Sequence, residues 1–121
     1  MSVKSILVVD DSGADRANLE RIVSSAGCVV NTAANGRDAL AAAKANPPDL
    51  IFLDIVMPEM DGIELARRAT QLDPDLKVMF ITGFAAVALN PDSDAPKDAK
   101  VLSKPFHLRE LVAEVEKMIA A

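Results

Sequence analysis

Two runs of apolar residues end directly in carboxylates. Ile6-Leu7-Val8-Val9 leads into Asp10-Asp11, and Leu50-Ile51-Phe52-Leu53 leads into Asp54. Neither run alternates with polar residues, so each suits a strand buried on both faces rather than one with a wet side. Such strands need helices above and below them. Between the runs the apolar period lengthens accordingly. Leu19, Ile22, Val23 and Ala26 recur at helical spacing with Arg16, Glu20 and Arg21 opposite, which predicts a helix over 13–26. Ser12 with Asp15 has the form of a capping box in which Asp replaces Glu, and Gly27 stands where a helix-ending glycine is expected.

The alternation continues along the chain. Residues 29–33 read as a second, weaker strand, Asn35-Gly36 as a turn, and Ala39, Leu40 and Ala43 as the stripe of a helix stopped by Pro47-Pro48. After Asp54 a loop opens at Met57-Pro58 and closes at Asp61-Gly62, where Asp61 is read as a turn and cap residue. A third helix runs through Ile63, Leu65, Ala66 and Ala69 to about Leu72. Lys77 to Ile81 form a fourth strand ending at Thr82-Gly83. Val101-Leu102-Ser103 form a short fifth strand ending at Lys104-Pro105, and Leu108, Leu111, Val112, Val115 and Ile119 share one face of a last helix. Residues 84–89 are apolar but few, and 90–98 are rich in Pro and Asp. The fourth helix is therefore expected to be short or irregular, with a long mobile loop after it. Strand and helix alternating in this way predict an α/β fold: a single, doubly wound, five-stranded parallel sheet with helices on both faces. A length of 121 residues predicts one domain, residues 1–121, with no second, output domain.

Composition narrows the function. A net charge of −5 disfavours nucleic acid and anionic membranes as direct partners, since both are polyanions. Trp and Tyr are absent, so stacking on bases is disfavoured as well. One cysteine excludes an internal disulfide, and no apolar run reaches the roughly 18–20 residues of a membrane span, which fits a cytoplasmic protein. Cys28 reads as a small buried apolar residue, the five Met as core filler, and the single His107 as an exposed or capping residue rather than a metal ligand.

In a parallel sheet the strand ends share one edge, where open α/β sheets bind ligands. Asp10 and Asp11, Asp54, Thr82 and Lys104 all fall there. Three clustered carboxylates repel one another unless a cation sits among them. Mg²⁺ suits such a set because it takes one or two carboxylates and fills its shell with water and phosphate oxygens. A Lys and a hydroxyl beside it complete an oxyanion site for a phosphoryl group. Any one of these residues alone reads more simply as a turn former, a cap or a solvated charge. It is their joint occurrence that points to chemistry.

The chain resembles the response-regulator receiver domains of bacterial two-component signalling, the CheY-like family with a flavodoxin-like (βα)5 fold. The resemblance is carried by Ile6-Leu7-Val8-Val9-Asp10-Asp11-Ser12, by Leu50 to Pro58 with Asp61-Gly62, by Ile81-Thr82-Gly83 and by Ser103-Lys104-Pro105-Phe106, in the family's order and spacing. It implies that Asp54 is the phosphoacceptor, taking a phosphoryl group from a phosphohistidine on a histidine kinase or phosphotransfer protein. It implies that Asp11, Asp54 and the Val56 carbonyl bind Mg²⁺ directly, with Asp10 acting mainly through water. Thr82 and Lys104 would hold phosphoryl oxygens, and the Lys104-Pro105 bond would be cis. The implied switch is a charge change at Asp54 that draws Thr82 inward. It alters the face made by the fourth helix, fifth strand and last helix, which meets an unidentified downstream partner. The protein would be a monomer or a weak phosphorylation-dependent dimer. It would not be an enzyme but a regulatory protein that assists its own phosphorylation and dephosphorylation.

Three positions depart from the family. Val101 stands where an aromatic commonly rotates inward, Gly83 and Phe84 follow Thr82 in place of a small Ala and a polar residue, and 90–98 is irregular. Val56 and Phe84 flank the expected site without a polar group to orient water, so a long-lived acyl phosphate is expected. Two alternatives stand beside this reading. One is a receiver-shaped scaffold that works without phosphorylation. The other is a Mg²⁺-dependent phosphatase with an Asp nucleophile; the haloacid-dehalogenase type needs Asp-x-Asp after the first strand, where this chain has Asp10-Asp11-Ser12.

Overall fold

A computed structural model describes residues 4–25, 27–54, 62–82, 99–103 and 108–120. Its strands are β1 (Ser5–Val9), β2 (Val29–Ala33), β3 (Leu50–Leu53), β4 (Lys77–Thr82) and β5 (Lys100–Ser103). Among the described residues the helices are α1 (Gly13–Ser25), α2 (Gly36–Ala45), α3 (Gly62–Leu72) and α4, the carboxyl-terminal one (Leu108–Ala120). The expected helix at 84–89 and loop at 90–98 lie outside the described residues.

All five strands pair in parallel in the order β2-β1-β3-β4-β5. Each central strand sends alternate residues to opposite layers. Ile6 and Val8 of β1 and Leu50 and Phe52 of β3 pack with Leu19 and Val23 of α1 and Leu111 and Val115 of α4. Leu7, Val9, Ile51 and Leu53 pack instead with Ala39 of α2 and with Leu65, Ala66 and Ala69 of α3. Both faces are dry, which is why the runs carry no polar alternation. Each such Val, Leu, Ile or Phe side chain contributes about 1.5–3 kcal/mol by leaving water. Strand β2 is the exception. It lies at the sheet edge with Val29, Asn31 and Thr32 exposed and Ala33 buried, which accounts for its weak apolar pattern.

The helix boundaries follow local chemistry. The Asp15 amide donates to Ser12 Oγ at 3.3 Å, one half of the expected capping box. Gly27 has φ +87°, the left-handed conformation that ends a helix. Asn35-Gly36 corrects the sequence reading. It is not a turn but a helix start, because Asn35 Oδ1 accepts from the Asp38 amide at 2.8 Å and Gly36 is already helical. Cys28 is half-buried at the rim of the α1–α4 layer rather than fully inside. Burial first, and then the nearby Asp49 charge, push its thiol pKa up. A raised thiol pKa lowers the share of the nucleophilic thiolate.

A clasp at the amino-terminal sheet edge was not anticipated from sequence. Asp49 Oδ2 accepts from the Ser5 amide at 2.8 Å, and the Asp49 amide donates to the Ser5 carbonyl at 2.9 Å. The Lys77 amide donates to the Asp49 carbonyl at 3.2 Å. One residue thus ties together the starts of β1, β3 and β4, leaving the opposite edge for chemistry.

A Cβ on Gly27 would meet nothing within 4 Å, so only its positive φ resists substitution. Gly27→Ala is expected to destabilise the chain by about 1 kcal/mol, the left-handed strain less the reduced entropy of the unfolded chain. A lower urea midpoint at an unchanged m-value checks this.

Candidate functional site

Sheet order builds the site. From β1 the chain crosses to β2 on one side, and β3 then lies on the other side of β1. The connections therefore diverge between β1 and β3 and open a crevice at their carboxyl ends. Val9 is paired with Leu53, so Asp10 and Asp54 follow on neighbouring strands, whose axes lie about 4.8 Å apart. The topology brings these two carboxylate-bearing residues together from positions 44 apart in sequence.

The three acidic residues differ in environment. Asp10 is 3 % exposed and is the one buried charged residue among those described. Its amide continues the ladder by donating to the Ala33 carbonyl at 3.2 Å. Its Oδ1 accepts from the Ser12 amide at 2.9 Å, and its carbonyl accepts from Arg16 Nη1 at 2.8 Å. No buried side-chain nitrogen or oxygen among the described residues lacks a partner, so the burial of Asp10 is compensated. Asp11 is exposed and Asp54 half-buried. The N-terminus of α1 begins immediately beyond, with its positive dipole end near the acidic pair.

Thr82 is the last residue of β4, paired with Ser103 at the end of β5, so its backbone stands at the same sheet edge. Its side chain, together with Val56, Lys104 and the Lys104-Pro105 bond, lies outside the described residues, as do Asp61, Gly83, Phe84 and His107. Among the described residues no three Asp, Glu, His or Cys side chains stand close enough to hold a metal by themselves. Asp10, with one oxygen already committed to Ser12, suits an outer position. Hard carboxylate oxygens from Asp11 and Asp54 fit a cation that takes few protein ligands and keeps water in its shell, which is the habit of Mg²⁺.

Sequence reasoning missed Arg16, which it placed only on the polar side of α1. The one signal available was its spacing, six residues after Asp10 and inside the first turn of the helix. A cavity of about 200 Å³ lies away from the strand ends, lined by Met79, Lys100, Val101, Leu102, Glu110 and Glu114 between the β5 edge and α4. Val101 is half-buried there and packs against the α2–α3 layer.

Residues 6–116 match the family model described as the response regulator receiver domain. The chain belongs to the response regulator receiver family. It is 61 % identical over 119 residues to the response regulator receiver protein CpdR of Brucella abortus, covering 98 % of this chain and 99 % of that one. It is also 37 % identical over 119 residues to the sensor kinase CckA of the same organism, covering 95 % of this receiver but 12 % of the kinase. Among solved structures it resembles the response regulator TrrA of Thermotoga maritima in complex with Mg²⁺ and beryllium fluoride. The TM-score is 0.85 and the identity 32 %, covering 96 % of this chain and 99 % of that one. The receiver is thus a phosphoacceptor regulator of two-component signalling, and the flavodoxin-like fold expected from the alternation is present.

One charge cluster outside the site sets a pH response. On α3, Glu64 accepts from Arg67 through Nε at 3.0 Å and Nη2 at 2.6 Å, and from Arg68 Nε at 2.9 Å. The hydrogen bonds from Arg67, and then those from Arg68, hold the Glu64 pKa down to about 2. A carboxylate pKa lowered by folding stabilises the fold above its ordinary value of 4.5. That contribution fades as pH falls from there toward 2. Titration of the Glu64 side-chain carbonyl carbon by NMR is expected to show a midpoint near 2, moving up in Arg67→Ala and by less in Arg68→Ala.

Proposed function

We propose that the receiver takes a phosphoryl group on Asp54 from a phosphohistidine of a histidine kinase or phosphotransfer protein, with Mg²⁺ bound by Asp11, Asp54 and the Val56 carbonyl. The observation that carries this reading is the placement of Asp54 beside the buried Asp10 and exposed Asp11 across the β1–β3 crevice. A half-buried carboxylate at that position can attack phosphorus in line from the open side. One Asp54 oxygen forms the new bond to phosphorus while the bond to the imidazole nitrogen breaks, and the imidazole leaves with the electron pair. Bound Mg²⁺ supplies charge neutralisation for the phosphoryl oxygens. Asp10 would act on the bound ion mainly through water. Thr82 and Lys104 each hold a phosphoryl oxygen after transfer, which keeps the added charge at the sheet edge.

The added charge, roughly −1.5 to −2, is then read by the surface near β5 and α4, where a downstream protein docks. Val101 narrows what that surface can do, because a Val has no ring to swing inward behind Thr82. The anionic balance of the chain and the lack of any membrane-spanning helix among the described residues support a protein partner and a cytoplasmic setting.

Incubation with acetyl phosphate and Mg²⁺ is expected to add the mass of one phosphoryl group. Beryllium fluoride with Mg²⁺ is expected to shift backbone NMR signals around residues 10–12 and 54. Both responses disappear in Asp54→Ala. Steady turnover of phosphate esters would point to the phosphatase instead, and partner binding indifferent to Asp54→Ala would point to the scaffold. Because Val56 and Phe84 orient no water, the acyl phosphate is long-lived. Val56→Asn with Phe84→Glu is expected to shorten its half-life several-fold, measured by loss of the phosphoryl mass after removal of acetyl phosphate.

A further inference from the structure

The Asp10–Asp11 peptide is gripped from two sides, and one grip comes from a residue with no part in the proposed chemistry. The Ser12 amide holds Asp10 Oδ1 at 2.9 Å, and Arg16 Nη1 holds the Asp10 carbonyl at 2.8 Å. That carbonyl belongs to the peptide plane that carries the Asp11 amide and fixes where the Asp11 Cα points. Asp11 is exposed, so burial does not fix its side chain. Its direction is therefore set by its backbone. Arg16 is half-exposed, and its long side chain reaches back from the first turn of α1 to the strand end.

We infer that Arg16 is a positioning residue for the divalent-cation site, holding Asp11 in the direction from which its carboxylate ligates. The inference rests on the reading of the site under Proposed function. A cation near a cation site has an opposing effect, since a guanidinium repels Mg²⁺. Water screening at this half-exposed position limits that repulsion to a fewfold change at most, whereas a charge-assisted hydrogen bond to a buried residue's carbonyl is worth about tenfold. Positioning therefore wins, and loss of Arg16 weakens metal binding rather than strengthening it.

The test compares wild type, Arg16→Met, which keeps the apolar stem, and Arg16→Lys, which keeps a donor and the charge. Mg²⁺ affinity is measured by calorimetry without any phosphodonor, and the Asp11 and Ser12 amide signals are recorded by NMR in the metal-free proteins. Arg16→Met is expected to bind Mg²⁺ about tenfold more weakly. Its Asp11 and Ser12 amides shift before any metal is added, and its thermal midpoint stays within a few degrees of wild type. Arg16→Lys recovers part of the lost affinity. Equal Mg²⁺ affinity in wild type and Arg16→Met overturns the inference alone, as does tighter binding in Arg16→Met. Absence of Mg²⁺ uptake by wild type overturns the reading of the site, and this inference with it.

Discussion

Keeping the Asp10 carboxylate out of bulk water is the constraint around which the rest of the molecule is arranged. A charge 3 % exposed is costly unless its oxygens are occupied. The neighbouring chain supplies what is needed: the Ser12 amide on one oxygen, the Arg16 guanidinium on the adjacent carbonyl, and the Ala33 carbonyl for the amide. These bonds require β1 to end where α1 begins and β2 to lie alongside. The same turn leaves Asp11 projecting into solvent and Asp10 beside Asp54. A chain that satisfied Asp10 differently would lose the juxtaposition on which the proposed phosphoryl acceptance rests.

Much of this was legible before any coordinates. β1 and β3 were legible because burial on both faces leaves their apolar runs without polar alternation, and the shortness of the runs favours strand over helix. The carboxylates after them followed from the parallel topology. β2 was harder to read: an edge strand with Asn31 and Thr32 exposed carries almost no periodic signal. Asn35-Gly36 was misassigned because the same dipeptide suits a turn and a helix start, and only the bond from the Asp38 amide distinguishes them. Arg16, marked only by its spacing from Asp10, and Asp49 were hard to see for a different reason. Each acts on backbone atoms far from its own position, and side-chain-to-backbone contacts leave no residue-type pattern to detect.

The two layers also differ in what they contribute. The α1–α4 layer meets the sheet through Leu19, Val23, Leu111 and Val115, whereas the α2–α3 layer does so through Leu65 together with the small Ala39, Ala66 and Ala69. Small residues bring a helix backbone close to the strands and leave little room for rotamer change. The Glu64 fork with Arg67 and Arg68 stiffens the outer side of α3 in the same sense. A cavity lies on the other side of the sheet, between β5 and α4.

Asp49 sits at the far end of the same strands, clipping Ser5 and the start of β4. One rim of the sheet thus carries a backbone clasp and the other the acidic residues of the proposed site. The clasp can therefore change without altering the acidic residues at the other end of the strands, a separation that suits a sheet reused in different regulatory circuits.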